Sequence, residues 1–172
     1  MPALLDDIES GLSLLPTSLR TVSARIQLFA TSRQENPTRS PRQIIRKDGK
    51  LQPLGPAAGD YQFEKTGGIR GLVRFKSPRV HGMLTQVCQA RKVAVTEDAL
   101  FDAVQVDPVL AAALARLLYF TDSGALPAVG DGQGAWDMYL RTWRPGAYKR
   151  DPQGLRAKWA QSYAEAMNAY GL

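Results

Sequence analysis

Apolar residues recur along the first thirty positions at steps of three and four. Leu4, Leu5, Ile8, Leu12 and Leu15 form one stripe, and Pro16 ends it. Thr17 or Ser18 can cap a second helix whose stripe is Leu19, Val22, Ile26, Phe29 and Ala30. Asn36-Pro37 stops that helix, because the residue before a proline avoids the helical region. Glu35 is therefore expected at the C-terminal end of an amphipathic helix.

Between residues 37 and 66 the pattern changes. Prolines, glycines and basic groups dominate, and Lys47-Asp48-Gly49-Lys50 is a hairpin turn signal with Ile44-Ile45 before it and Leu51 after it. A short β/loop insert is expected here. Gly67-Gly68 and Gly71 mark a tight turn or a place where backbone must come close to something. Helical patterning then returns. Ser77-Pro78 opens a helix with Val80, Leu84, Val87 and Cys88 on its face, and Thr96-Glu97-Asp98 caps another. Asp107-Pro108 opens a strongly apolar one, Val109 to Phe120, expected to be the buried central helix. A Gly-rich loop over 121–134 leads to a helix bearing Trp136, Tyr139, Leu140 and Trp143. A last helix runs from about Gln153 to Ala169, with Leu155, Trp159, Tyr163 and Met167 spaced by four. Strand and helix do not alternate, which argues against a parallel α/β sheet. The pattern predicts a mainly α (α+β) chain, read as one domain over 1–172 with a helical extension at 1–16 and a β/loop insert at 37–66.

Composition narrows the chemistry. Hydrophobic residues make up 44% of the 172 positions, enough for a real core. The formal charge of +6 and pI of about 9.7 favour anionic partners without choosing among nucleic acid, lipid and wall polymer. No recognised nucleic-acid motif or basic-aromatic stripe supports the first of these. One cysteine, Cys88, and one histidine, His81, leave no basis for a disulfide or a His/Cys metal site, and no cofactor is called for. The N-terminus carries acids where a signal peptide needs Lys or Arg, and no stretch has transmembrane length, so a chain made in the cytoplasm without a membrane span is expected.

A carboxylic acid that stays protonated near neutral pH is what cleavage of a glycosidic bond requires. A Glu leaving a buried helix just before a β-rich insert can lie at the seam of two lobes, and Glu35 has that place. Spacing alone leaves a second reading open. An ordinary helix-end Glu35 would pair with Arg33, Arg39 or Arg42, and such pairing would lower its pKa.

Three segments in order carry a resemblance. They are Gln34-Glu35-Asn36, Gly59-Asp60-Tyr61-Gln62-Phe63-Glu64-Lys65-Thr66-Gly67-Gly68, and Trp136 through Tyr139-Leu140 to Trp143-Arg144-Pro145-Gly146. The chain resembles the phage-type lysozyme-like lytic transglycosylases. These have a Glu, usually followed by Ser, at a helix end, then a Gly-x-x-Gln-hydrophobic motif on the β-side of a cleft. The resemblance spans roughly residues 20 to 170. It implies a lysozyme-like fold and cleavage of peptidoglycan glycan strands between N-acetylmuramic acid and N-acetylglucosamine, with Glu35 as general acid and base. It also implies that Asn36, Tyr61, Gln62 and Tyr139 line the substrate site. Here Asn36 stands where the family has Ser, and the insert is longer and more basic. Glu64, and after it Asp60, are the nearby acids available as a second carboxylate, which hydrolysis by a muramidase route would need. The implied setting is a phage virion whose wall-degrading component is made in the host cytoplasm and acts on the periplasmic wall, among other tail or internal virion proteins. The rival expectations are a virion structural or adaptor protein that keeps the fold without activity, and a basic DNA-contacting protein.

Overall fold

The computed structural model describes residues 2–172. Eight α-helices are present among the described residues: α1 (Pro2–Ser13), α2 (Val22–Glu35), α3 (Arg70–Val73), α4 (Pro78–Arg91), α5 (Glu97–Ala103), α6 (Pro108–Phe120), α7 (Gly132–Trp143) and α8 (Pro152–Ala169). Between α2 and α3 lie four short strands in two antiparallel pairs: β1 (Ile45–Lys47) with β2 (Lys50–Gln52), and β3 (Ala57–Ala58) with β4 (Phe63–Glu64). The expected mainly helical chain with a small β-insert is what is observed.

Local signals act where they were read. Ser77, Thr96 and Asp107 each accept a hydrogen bond from the backbone N–H three residues on, at Val80, Ala99 and Leu110. The β1–β2 turn places Asp48 and Gly49 at φ 50° and 76°, the left-handed pair that a tight hairpin demands. Two boundaries differ from expectation. The cap of α2 is Thr21, because Thr17–Leu19 forms its own tight turn first, and Val22 is consequently 45% exposed. α7 begins at Gly132, inside the expected loop, because Asp131 accepts from Gly134 N.

The core is organised around α6 and α2. On α6, Leu110, Leu114, Leu117, Tyr119 and the run Ala111–Ala113 are buried, as expected. α1 is packed directly on it: a Cβ at Gly11 would come within 2.7 Å of Ala112 Cβ and of the Val109 carbonyl oxygen. Leu4, Ile8, Leu12 and Leu15 are buried in the common core, so residues 2–16 are an integral layer rather than an appendage. α2 is not amphipathic in the expected sense. Besides Ile26, Leu28, Phe29 and Ala30 it buries Gln27, Thr31, Ser32 and Gln34. Gln27 Nε2 donates to Tyr119 Oη and to the Ala135 carbonyl, each at 3.0 Å, and Thr31 Oγ1 lies 2.6 Å from the same Tyr119 hydroxyl. These bonds offset the desolvation of Gln27 and Thr31. They also fasten α2 to α6 and α7, the two helices that frame its C-terminal end.

Candidate active site

α2 ends at Glu35, a partly buried residue whose carboxyl group meets α7 through Tyr139 and feels the charges of Lys158 on α8 and Glu64 on the β-insert. Tyr139, from the middle of α7, donates its hydroxyl to Glu35 Oε1 at 2.6 Å. The Tyr139 ring is held by stacking on Trp159 of α8, with centroids 4.6 Å apart and planes 21° apart, and by Trp136 at 5.6 Å. Trp159 is fully buried, so the phenol has little freedom to swing away. Lys158, the neighbour of Trp159, sends Nζ to the Gln34 carbonyl at the end of α2. An ammonium placed there interacts favourably with the helix C-terminus.

The three arginines that could have paired with Glu35 are engaged elsewhere. Arg33 donates to Glu165 and to the Pro37 carbonyl. Arg39 is clamped between Asp60 and Asp7 at 2.6 and 2.5 Å. Arg42 donates twice to the Gly55 carbonyl. Desolvation therefore dominates at Glu35 and pushes its carboxyl up from 4.5 to about 7. The Tyr139 hydrogen bond and the charge of Lys158 act in the opposite direction, and the Glu64 charge adds to the rise. The helix-end residue is a carboxylic acid half protonated near neutrality, with a phenol as its direct partner.

The other expected site residues divide. Glu64 lies exposed on β4, near enough for its charge to be felt at Glu35. Asp60 is buried in its ion pair with Arg39 and is not free to activate a water. Asn36 is 5% exposed, and its amide is fully used. Nδ2 donates to the Ser40 and Gly59 carbonyls, while Oδ1 accepts from Thr38 Oγ1 and Ser40 N. It ties the end of α2 to the insert and has no capacity left for a sugar, contrary to the expected substrate contact. Tyr61 is likewise 1% exposed, packed against Phe63 and Trp143, with its carbonyl accepting from Trp143 Nε1 at 2.9 Å. It is a core residue, again contrary to expectation. Gln62 sits at φ 48° and donates Nε2 to the Gly59 carbonyl of its own turn, leaving Oε1 available. Trp143 anchors the β-insert to α7 through Tyr61 and Phe63.

Lys158 and Trp159 were not singled out as site residues. Trp159 was legible as part of a core stripe, but nothing in the spacing of α8 links either residue to Glu35. Two hollows are prominent on the surface, and neither contains the acid. One, about 310 Å³, lies beside Arg39, Gly59 and Val104; the other, about 550 Å³, lies between α7 and the start of α8. Among the described residues no cluster of His, Cys, Asp and Glu could hold a metal ion, and no helix is long and apolar enough to cross a membrane. Compared with protein families, curated proteins and solved structures, the chain matches none significantly.

Proposed function

We propose that this chain is a lysozyme-like enzyme that cleaves peptidoglycan glycan strands as a lytic transglycosylase, with Glu35 as its one acid–base group. The observation that carries this reading is the pairing of Glu35 and Tyr139. It holds a recessed carboxyl with a pKa of about 7, free of the arginines that would have kept it ionised. Such a group can give a proton and take one back at the same pH. In the first half of the reaction, protonated Glu35 delivers its proton to the glycosidic oxygen as the C1–O bond of N-acetylmuramic acid breaks. In the second half, the muramic acid 6-hydroxyl attacks C1 and its proton passes to the Glu35 carboxylate. The product is a 1,6-anhydro sugar, no water is consumed, and the enzyme returns to its starting protonation. Tyr139 keeps the carboxyl oriented and stabilises its anionic half-cycle. Buried, ion-paired Asp60 and exposed Glu64 support a one-carboxylate route over hydrolysis. A phage virion component acting on the periplasmic wall is the setting that this reading fits.

The test is a digest of intact peptidoglycan with wild type and Glu35→Gln, resolved by mass spectrometry. Wild type is expected to release anhydro-muramyl products, and the variant about 10²–10⁴-fold less. Reducing ends in place of anhydro ends would move the assignment to a hydrolase with Glu64 as second carboxylate. The second reading is an inert virion structural or adaptor protein. One observation favours it: Asn36, Tyr61 and Tyr139, three of the four residues expected on the sugar, are buried and consumed by the fold. Absence of any released product at high enzyme and low salt would establish it.

A further inference from the structure

The hollow between α7 and the start of α8 is not part of the acid's immediate surroundings, yet it is built against the same aromatic wall. Trp136 contributes one face to Tyr139, which holds Glu35. Arg156 lies over the Trp136 ring, with its guanidinium carbon 5.3 Å from the centroid, and Tyr148 approaches the same ring at 6.2 Å. Tyr148 is 45% exposed, unusual for a large aromatic with a packed neighbour and no hydrogen-bond partner of its own among the described residues. The floor between them is Ala157 and Ala160 of α8.

The charge of this hollow is one-sided. Arg156 donates one N–H to Gln133 Oε1 at 2.8 Å and makes no ion pair among the described residues. Outside the lining, the connector just before α8 carries Arg144, Lys149 and Arg150, all exposed and without ion pairs among the described residues. Two acids next to lining residues in the chain are turned to other tasks. Asp151 caps α8 through Gly154 N, and Asp137 accepts from Gln133 Nε2. A guanidinium seated over an indole, with N–H groups left over from its one hydrogen bond, presents a fork that fits a carboxylate. The Tyr148 and Trp136 rings beside it offer an apolar surface for short aliphatic groups.

We propose that this hollow binds a short carboxylate-bearing peptide, the peptide branch of the wall polymer, with Arg156 taking a carboxylate and Tyr148 and Trp136 covering the aliphatic part. The assignment rests on the reading of Glu35 as a peptidoglycan-cleaving acid. It adds that this chain prefers strands that carry peptide over bare glycan.

The test is direct binding by calorimetry to wild-type protein. The probes are a soluble N-acetylglucosaminyl-N-acetylmuramyl tetrapeptide, the same disaccharide without peptide, and the free tetrapeptide. The disaccharide probes contain no muramyl-to-glucosaminyl bond, so the proposed reaction cannot consume them. The peptide-bearing probe is expected to bind at least tenfold tighter than the bare disaccharide. Arg156→Gln and, separately, Tyr148→Ala should each remove most of that advantage while leaving the bare disaccharide unaffected. Tyr148 is exposed, so its variant tests the site even if Arg156→Gln perturbs packing; circular dichroism of both checks the fold. Equal binding of bare and peptide-bearing disaccharide would overturn the proposal in favour of a plain sugar platform. So would retention of the advantage in both variants, or no binding of either peptide-bearing probe. The outcome is independent of the Glu35→Gln digest, so a failed catalytic reading and a failed peptide site are distinguishable.

Discussion

Glu35→Gln should change the stability of this protein in a pH-dependent way, whether or not the protein turns over substrate. The amide is nearly isosteric with the acid, and its oxygen can still accept from Tyr139 Oη, so the geometry of the site is kept. What the substitution removes is titration. Folding raises the carboxyl from 4.5 to about 7, mainly through desolvation. The folded state therefore holds a proton that the unfolded chain has released, throughout the window between those two values. The sign follows: the unfolded state binds fewer protons there, so the contribution of this group to stability is fully present below about 4.5 and is lost as pH rises through about 7. A shift of that size corresponds to a ceiling of about 3 kcal/mol. The residue is only partly buried, which brings the expectation down to roughly 1–3 kcal/mol. Urea unfolding of wild type and variant at pH 4.5 and pH 8 reads it. The two proteins should be close at the lower pH, and the variant should gain roughly 1–3 kcal/mol on wild type at the higher. At a typical slope that is about 1 M in the urea midpoint. A stability difference that stays constant between the two pH values would mean that Glu35 titrates like a surface carboxylate. It would then be ionised at neutral pH and could not be a general acid, and the proposed reaction would fail with it.

Two substitutions should move the activity profile in opposite directions. Tyr139→Phe removes a hydrogen bond that favours the Glu35 carboxylate, so the alkaline limb of the pH–rate profile should shift upward while the rate falls. Glu64→Gln removes a negative charge that raises Glu35, so the same limb should shift downward, with anhydro products still formed; reducing ends that disappear in this variant would instead identify Glu64 as a second carboxylate. Asn36→Ala deletes four hydrogen bonds at a 5%-exposed position and leaves the Ser40 N–H and carbonyl without their partner. It should cost about 2–4 kcal/mol in denaturant unfolding, whereas a solvent-facing, substrate-contacting Asn36 would cost almost nothing.

The helix ends were legible because they are local chemistry. Thr96, Asp107 and the Ser77-Pro78 pair act on backbone groups three residues away, and Asn36-Pro37 stops α2 for steric reasons that need no tertiary context. The β1–β2 hairpin was legible for the same reason. The faces of α2 were not. Gln27 and Thr31 have the polarity of a solvent-facing stripe, and only Tyr119, some ninety residues on, makes them interior. The site shows the same division. Glu35 could be placed at a helix end from its neighbours, but whether it met an arginine or a phenol depended on Tyr139, 104 positions away. Asn36 and Tyr61 were expected on substrate because residue type was matched without knowing which polar groups the fold would itself consume. Asn36 sits where two chain segments must be joined, and Tyr61 lies under Trp143. Lys158 gave no signal, since one lysine on a long helix has no distinguishing neighbours in sequence.

What makes Glu35 unusual is less its own burial than the disposal of the cations around it. The chain is basic, and three arginines lie within seven positions of this residue in sequence. Any one of them in contact would favour the carboxylate and defeat a general acid. The fold gives each a different acceptor: Glu165 on α8 for Arg33, the Asp7–Asp60 pair for Arg39, and the Gly55 carbonyl for Arg42. Two of those acceptors come from α1 and α8, the chain's two terminal helices. The N-terminal layer thus bears on the site as well as on the core, because Asp7 helps to hold Arg39 away from the acid. Lys158 is the cation left nearest the carboxyl, and it is tied to the Gln34 carbonyl. It moderates the rise without cancelling it, and with Tyr139 it leaves the proton affinity near neutrality. A lone carboxyl that must act as acid and then as base in one cycle needs that balance. Pure desolvation would strand the proton on Glu35, and a direct arginine would never let it bind.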